Sequence, residues 1–110
     1  MKALKSMILL LSAAVLWFST SFGNVALAAD GAAIFTAKCA QCHMGGKNII
    51  NPSKTLSLSD LKANGKDTVE AIATQVTYGK APMPAFKGLL NDAEITAVAE
   101  YVLAKAEAGW

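Results

Sequence analysis

The chain has 110 residues, of which 54% are hydrophobic, and its ten lysines and arginines against eight acids give a net charge of +2. This length predicts one domain. The small basic excess includes no basic stripe with interleaved aromatic residues, so a nucleic-acid-binding function is excluded.

The first 28 residues have the pattern of an export signal. Lys2 and Lys5 precede an apolar run over residues 7–18, and Ala26-Leu27-Ala28 is an A-x-A cleavage signature. The alternative is a retained membrane anchor, which needs about 20 apolar residues; polar residues interrupt this run earlier. We predict a signal peptide at 1–28 and one domain at 29–110. That domain has eight lysines and eight acids.

The domain combines helical periodicity with loops, which predicts an all-α class. Asp30 is a suitable N-cap for a first helix from Gly31 to about Lys38. This helix leads directly into the segment that carries the most specific chemistry of the chain.

That segment is Cys39-Ala40-Gln41-Cys42-His43, a C-x-x-C-H pattern typical of covalent haem attachment. Its two thiols add to the two haem vinyl groups, and its histidine binds the iron. A structural zinc site needs four ligands, and a thioredoxin-like dithiol needs a βαβ unit for which we find no strands. The pattern therefore favours haem c, held by Cys39 and Cys42 with His43 on the iron, over a redox dithiol.

Residues 44–55 carry loop signals, and Ile49 and Ile50 within them are expected to cover the haem. Ser59 is the expected cap of a short helix that ends at Gly65. The next helix is predicted to begin with a capping box at residues 67–70 and to stop at Gly79.

Asn91 and Glu94 predict a capping box for the last helix, which ends near residues 105–108. Trp110 closes the sequence, and the pattern does not decide whether it packs on the fold or frays. Gln75, a long polar residue in the preceding helix, has a side-chain type that favours an exposed position.

The second axial ligand of the iron is predicted by elimination. The chain has no second histidine, and Met44 is too close to His43 in sequence to reach the opposite haem face. Met83 is the remaining thioether after signal removal, between two prolines that favour an extended backbone. Lysine or water are the alternatives. A His/Met site raises the redox potential and leaves no open coordination position, which predicts an electron carrier rather than an enzyme.

These motifs together resemble the cytochrome c6 family, small class I cytochromes c of cyanobacteria and algae. The similarity covers the whole predicted domain. Besides the haem motif, the matching stretches are Ile34-Phe35, Gly45-Gly46-Lys47-Asn48, Lys54-Thr55-Leu56, Gln75-Val76-Thr77, Met83-Pro84-Ala85-Phe86-Lys87-Gly88 and Ala99-Glu100-Tyr101-Val102-Leu103.

The resemblance implies about four helices around one haem, with the first and last helices crossing at Gly31, Phe35 and Tyr101. It implies a mostly monomeric carrier in the thylakoid lumen, or in the periplasm. Its electron donor would be the cytochrome b6-f complex and its acceptor photosystem I, in place of plastocyanin. It also places Gln75 beside the haem.

Two positions depart from the family pattern. Leu89 stands where many relatives have an arginine implicated in docking to photosystem I, and Pro82 replaces a small residue. We expect Pro82 to stiffen the loop without moving Met83. The alternative functions are a carrier that donates electrons to a terminal oxidase and a haem-based gas sensor, and the sensor would require Met83 to be labile.

Overall fold

The structure is a computed structural model that describes residues 29–110; the predicted signal peptide at 1–28 lies outside the described residues. Within 29–110 the chain is helical, with no β-structure beyond isolated bridges. The helices are α1 (Gly31–Lys38), α2 (Ala40–His43), a 3-10 turn (Met44–Gly46), α3 (Leu58–Ala63), α4 (Val69–Tyr78) and α5 (Asp92–Ala108). The all-α prediction is confirmed. The four predicted helices correspond to α1, α3, α4 and α5, since α2 is a single turn.

The predicted starts of α1 and α5 are confirmed by their hydrogen bonds. The Ala33 amide donates to Asp30 Oδ1 at 3.2 Å. At α5, the Glu94 amide donates to Asn91 Oδ1 at 2.8 Å, and the Asn91 amide donates to Glu94 Oε1 at 3.0 Å. This reciprocal pair is the capping box that the sequence predicts.

The predicted cap of α3 is wrong by two residues. Ser57, not Ser59, has the extended backbone of an N-cap, and its Oγ accepts the Asp60 amide at 3.2 Å. Ser59 lies in the first turn with an exposed side chain. The predicted end of α3 at Gly65 is confirmed, because Gly65 follows the helix with φ of 67°.

The predicted capping box at residues 67–70 is also wrong. Thr68 is the N-cap of α4, and its Oγ1 accepts the Ala71 amide at 3.1 Å. Glu70 is therefore the second helical residue rather than the third, so it does not complete a box with Asp67. The predicted end of α4 at Gly79 is confirmed.

The core is apolar and lies where α5 packs against α1 and α4. No side chain of a polar residue is buried within the described part of the chain. The buried residues are Phe35, Leu61, Ile72, Val76, Phe86, Leu90, Ile95, Val98, Ala99, Val102 and Ala106.

The crossing of α1 and α5 depends on Gly31. A Cβ atom built at Gly31 would collide with the backbone carbonyl oxygen of Ala97 on α5. The ring centroids of Phe35 and Tyr101 lie 5.3 Å apart at the same crossing. The three residues predicted for this crossing therefore do meet there, and the absence of a side chain at Gly31 allows the two backbones to approach.

Trp110 packs on the fold. Its ring centroid lies 5.4 Å from that of Phe35, and its indole Nε1 donates to the Leu56 carbonyl oxygen at 2.8 Å. The last residue therefore contacts both α1 and the loop that precedes α3. No helix within residues 29–110 combines the length and apolar character needed to cross a membrane.

Thr55 and Asp60 connect that loop to α3. Asp60 Oδ2 accepts the Thr55 hydroxyl at 2.6 Å and the Thr55 amide at 3.1 Å. The side-chain hydrogen bond first, and the backbone hydrogen bond second, hold the pKa of the Asp60 carboxyl below its ordinary value. Folding therefore favours the ionised carboxylate.

We predict that Thr55→Val raises the pKa of Asp60 toward its ordinary value. A carboxyl whose pKa is lowered by folding stabilises the fold above its unfolded pKa of about 4, and this stabilisation is lost as the pH falls through the lower folded pKa. The variant should therefore melt at a lower temperature than the wild type at pH 7, and the difference should shrink below about pH 4. An NMR titration of the Asp60 carboxyl and melting curves of the haem-containing protein measure both effects.

The control is Thr36→Val, since the exposed Thr36 hydroxyl donates only within α1, to the Ala32 carbonyl oxygen at 3.0 Å. This variant should leave the pKa of Asp60 unchanged. An Asp60 pKa that is the same in wild type and Thr55→Val would contradict the assignment.

Candidate haem site

The C-x-x-C-H segment continues the first helix. The Cys39 amide donates to the Phe35 carbonyl oxygen at 2.9 Å, and the His43 amide donates to the Cys39 carbonyl oxygen at 3.0 Å. Cys39 and Cys42 are both half-buried free thiols. Burial raises the pKa of the Cys39 thiol. Cys39, Cys42 and His43 therefore lie within one short, ordered segment of helical backbone.

The imidazole of His43 has a defined orientation. Its Nδ1 lies 2.8 Å from the backbone carbonyl oxygen of Lys47. Since a carbonyl oxygen only accepts hydrogen bonds, Nδ1 carries a proton, and in the neutral imidazole Nε2 then keeps its lone pair. A histidine that ligates a metal commonly donates its other ring N–H in this way, which fixes the tautomer and the ring plane.

Met83 lies in the irregular segment between α4 and α5. Its amide donates to the Lys80 carbonyl oxygen at 2.8 Å, and its carbonyl oxygen accepts the Lys80 amide at 3.1 Å. The side chain is half-buried and packs against the apolar core. The Ala81–Pro82 peptide bond within this small turn is cis. Met83 is thus held at its backbone on both sides of the residue.

The segment that carries Met83 is attached to the end of α4. A Cβ atom at Gly79 would lie 2.7 Å from backbone atoms of Met83, Pro84 and Ala85, so this approach requires glycine. The Phe86 amide donates to the Val76 carbonyl oxygen at 2.9 Å. Because Phe86 is also buried, the segment is anchored by both backbone hydrogen bonds and apolar packing.

Gln75 contacts the thioether of Met83. Its side-chain nitrogen Nε2 donates to Met83 Sδ at 3.7 Å, and the residue is half-buried. Gln75 is therefore not exposed, although its side-chain type favours an exposed position. The structure places Gln75 against Met83, and its position beside the haem stays a prediction.

Leu56 and Leu58 are half-buried and pack against the core cluster that also contacts Cys39 and Met83. Ile49 and Ile50 are 66% and 57% exposed in the described chain, and their role in covering the haem stays a prediction. Lys47 accepts the hydrogen bond of His43 through its backbone carbonyl oxygen, and the sequence does not predict this role. The glycine pair before it signals a turn, but any residue offers a carbonyl group at that position.

These residues fit haem c. They provide two thiols in one helical turn, an imidazole whose Nε2 is available to a metal, and a thioether on an anchored segment. The half-buried leucines supply the apolar surroundings that a porphyrin requires.

Known proteins are similar to this chain over most of its length. The sequence profile described as cytochrome c oxidase, cbb3-type, subunit III matches residues 26–102. Cytochrome c6 of Rippkaea orientalis is 56% identical over 100% of this chain and 99% of its own length. Cytochrome c6 of Microcystis aeruginosa is 63% identical over 74% of this chain and 100% of its own length.

Solved structures of cytochrome c6 have a similar fold. The crystal structure of cytochrome c6 from the diatom Phaeodactylum tricornutum superposes with a TM-score of 0.71 at 55% identity, covering 73% of this chain and 94% of the diatom protein. With this identity and coverage, the chain belongs to the cytochrome c6 family of class I cytochromes c, electron carriers that hold one covalently bound haem c.

Proposed function

We propose that this protein carries single electrons from the cytochrome b6-f complex to photosystem I in the thylakoid lumen. In this proposal Cys39 and Cys42 would hold the haem through two thioether bonds, and His43 and Met83 would hold its iron. When bound, the haem supplies a one-electron ferric/ferrous couple. The observation that carries the proposal is the hydrogen bond from His43 Nδ1 to the Lys47 carbonyl oxygen, which leaves Nε2 free for iron.

His43 has two tasks in this proposal. It donates the Nε2 lone pair, and the 2.8 Å hydrogen bond at Nδ1 keeps the ring in one orientation. The same hydrogen bond increases the basicity of the imidazole, because the carbonyl oxygen stabilises positive charge on the ring. A more basic ligand favours the ferric state, so this contact lowers the potential relative to a histidine without it.

Met83 has the opposite effect on the redox potential. A thioether is a soft, uncharged ligand that favours ferrous iron and raises the potential. Gln75 donates a hydrogen bond to the same sulfur, which withdraws electron density from it. The backbone hydrogen bonds between Met83 and Lys80 hold the backbone of Met83 in place. A site that moves little during electron transfer exchanges electrons with a low barrier.

Exposed side chains on either side of the Met83 segment in sequence support docking through apolar contact. Leu89 is 73% exposed. Lys87 Nζ lies 5.6 Å from the ring centroid of Tyr78, a cation–π contact that places this charge over an exposed ring. With eight lysines and eight acids in residues 29–110, long-range attraction to a partner is weak. We therefore assign much of the docking to apolar contacts.

Export places the protein with these partners. We propose that residues 1–28 are removed and that the mature protein begins at Ala29, in the thylakoid lumen or the periplasm. The A-x-A signature before Ala29 supports this site.

Donation to a terminal oxidase is the second candidate function. One observation favours it, since the matching profile is described as an oxidase subunit. The family resemblance adds that Leu89 stands where many relatives would have an arginine. The redox site would be the same in both cases, and only the acceptor would differ.

We predict that Met83→Ala lowers the midpoint potential, abolishes the weak red charge-transfer band of the oxidised protein, and allows the reduced protein to bind carbon monoxide. Loss of the soft ligand removes the preference for ferrous iron and opens one coordination position. Optical redox titration and carbon monoxide titration measure these effects.

Gln75→Val is the matched control, because it removes the hydrogen bond to the sulfur and keeps the sulfur. This variant should shift the midpoint while it retains the red band and binds no carbon monoxide. If the band persists in Met83→Ala, another residue is the ligand.

We predict that flash-induced reduction of photosystem I by this protein depends only modestly on ionic strength, since salt screens a steering charge that this chain largely lacks. Leu89→Arg should accelerate the reaction at low salt and have little effect at high salt. Leu89→Gln is the control, since it is polar but uncharged. A wild-type protein that fails to reduce photosystem I at any ionic strength would favour the oxidase as acceptor.

A further inference from the structure

Trp110 is the last residue of the chain and is folded back onto it. The helix α5 is followed by its C-cap Gly109, which has φ of 88°, and the Trp110 amide donates to the Lys105 carbonyl oxygen at 2.8 Å. The indole ring then packs on Phe35 with 5.4 Å between ring centroids. The position of the ring is therefore determined by both α5 and α1.

From this position the ring contacts the loop that follows His43. Its Nε1 donates to the Leu56 carbonyl oxygen at 2.8 Å, a contact between residues 54 positions apart. The ring also covers Gly46, which is buried, and a Cβ atom at Gly46 would lie 2.5 Å from three of its ring carbons. Trp110 thus restrains this loop at two points.

A continuous set of contacts connects Trp110 with His43. Leu56, whose carbonyl oxygen accepts the indole N–H, donates its own amide to the Gly46 carbonyl oxygen at 2.7 Å. Gly46 is bonded to Lys47, and the Lys47 carbonyl oxygen accepts His43 Nδ1–H at 2.8 Å. The path consists of three hydrogen bonds: one from the indole N–H, one between the backbones of Leu56 and Gly46, and one from the imidazole.

We infer that Trp110 is a positioning residue for His43 and thereby sets part of the redox potential. The inference rests on the proposed function in one respect: His43 is taken as the iron ligand. When the loop is restrained, the Lys47 carbonyl oxygen stays within hydrogen-bond distance of Nδ1 and increases the basicity of the imidazole. When the restraint is lost, this hydrogen bond weakens, the ferric state is less favoured, and the midpoint potential rises.

The test compares the haem-containing wild type with Trp110→Phe, which keeps an aromatic ring near Phe35 and removes the indole N–H. In the reduced protein, hydrogen exchange at the Leu56 amide and at His43 Nδ1–H should be about two- to tenfold faster, as expected for the loss of one hydrogen bond. Exchange in the middle of α4 should not change. The midpoint potential should rise, and the red charge-transfer band should persist.

Val98→Ala is the control for a general loss of stability. Val98 lies on the same helix, is 1% exposed, and is 12 positions from the indole. Its truncation should lower the melting temperature without a rise in midpoint or selective exchange at Leu56 and His43. Trp110→Tyr is prepared in parallel, because it also lacks the indole N–H but fills more of the space. The same changes are expected in either variant that yields holoprotein.

Exchange rates and a midpoint at wild-type values in Trp110→Phe would overturn the inference. An equal rise in Val98→Ala would also overturn it, because the shift would then follow global stability. If either result is found and Met83→Ala still abolishes the red charge-transfer band, the proposed ligation stands. Absence of that dependence would instead contradict the proposed function.

Discussion

The hydrogen bond between His43 Nδ1 and the Lys47 carbonyl oxygen is the contact on which the proposed redox site depends. It fixes the tautomer of the histidine, and it does so through the backbone of a turn that is itself covered by Trp110 at Gly46. Met83 is restrained in a similar way, by its hydrogen bonds to the backbone of Lys80. Both proposed ligands thus come from segments whose backbone is restrained by hydrogen bonds, which suits a centre that changes charge without changing shape.

The helical frame explains how so short a domain positions these segments. The close approach of α1 and α5 at Gly31 places the attachment segment beside the core, and the close approach at Gly79 places the Met83 segment against the end of α4. Within residues 29–110 the buried side chains are all apolar, so hydrogen bonding in that part of the chain is concentrated in backbones and caps. A domain of this length buries only a small core, and a covalently attached haem would add apolar volume to it.

Much of this arrangement could be predicted from the sequence, because some patterns allow a single solution. The Asn91/Glu94 box defines a helix start, and the C-x-x-C-H motif defines a helical turn. The starts of α3 and α4 could not be predicted as well, since neighbouring residues such as Ser57 and Ser59 are equally good caps. The role of Lys47 could not be predicted at all, because its carbonyl group is common to every residue. The packing of Trp110 depends on contacts across 54 positions, which local patterns do not encode.

The central claim is that one imidazole and one thioether bind the iron in both oxidation states. X-ray absorption at the iron edge of the holoprotein tests it most directly, because sulfur and nitrogen scatter differently. The account predicts one sulfur and five nitrogen ligands, with nearly the same distances in the oxidised and reduced protein. A spectrum without sulfur, or with sulfur in one oxidation state only, would contradict it.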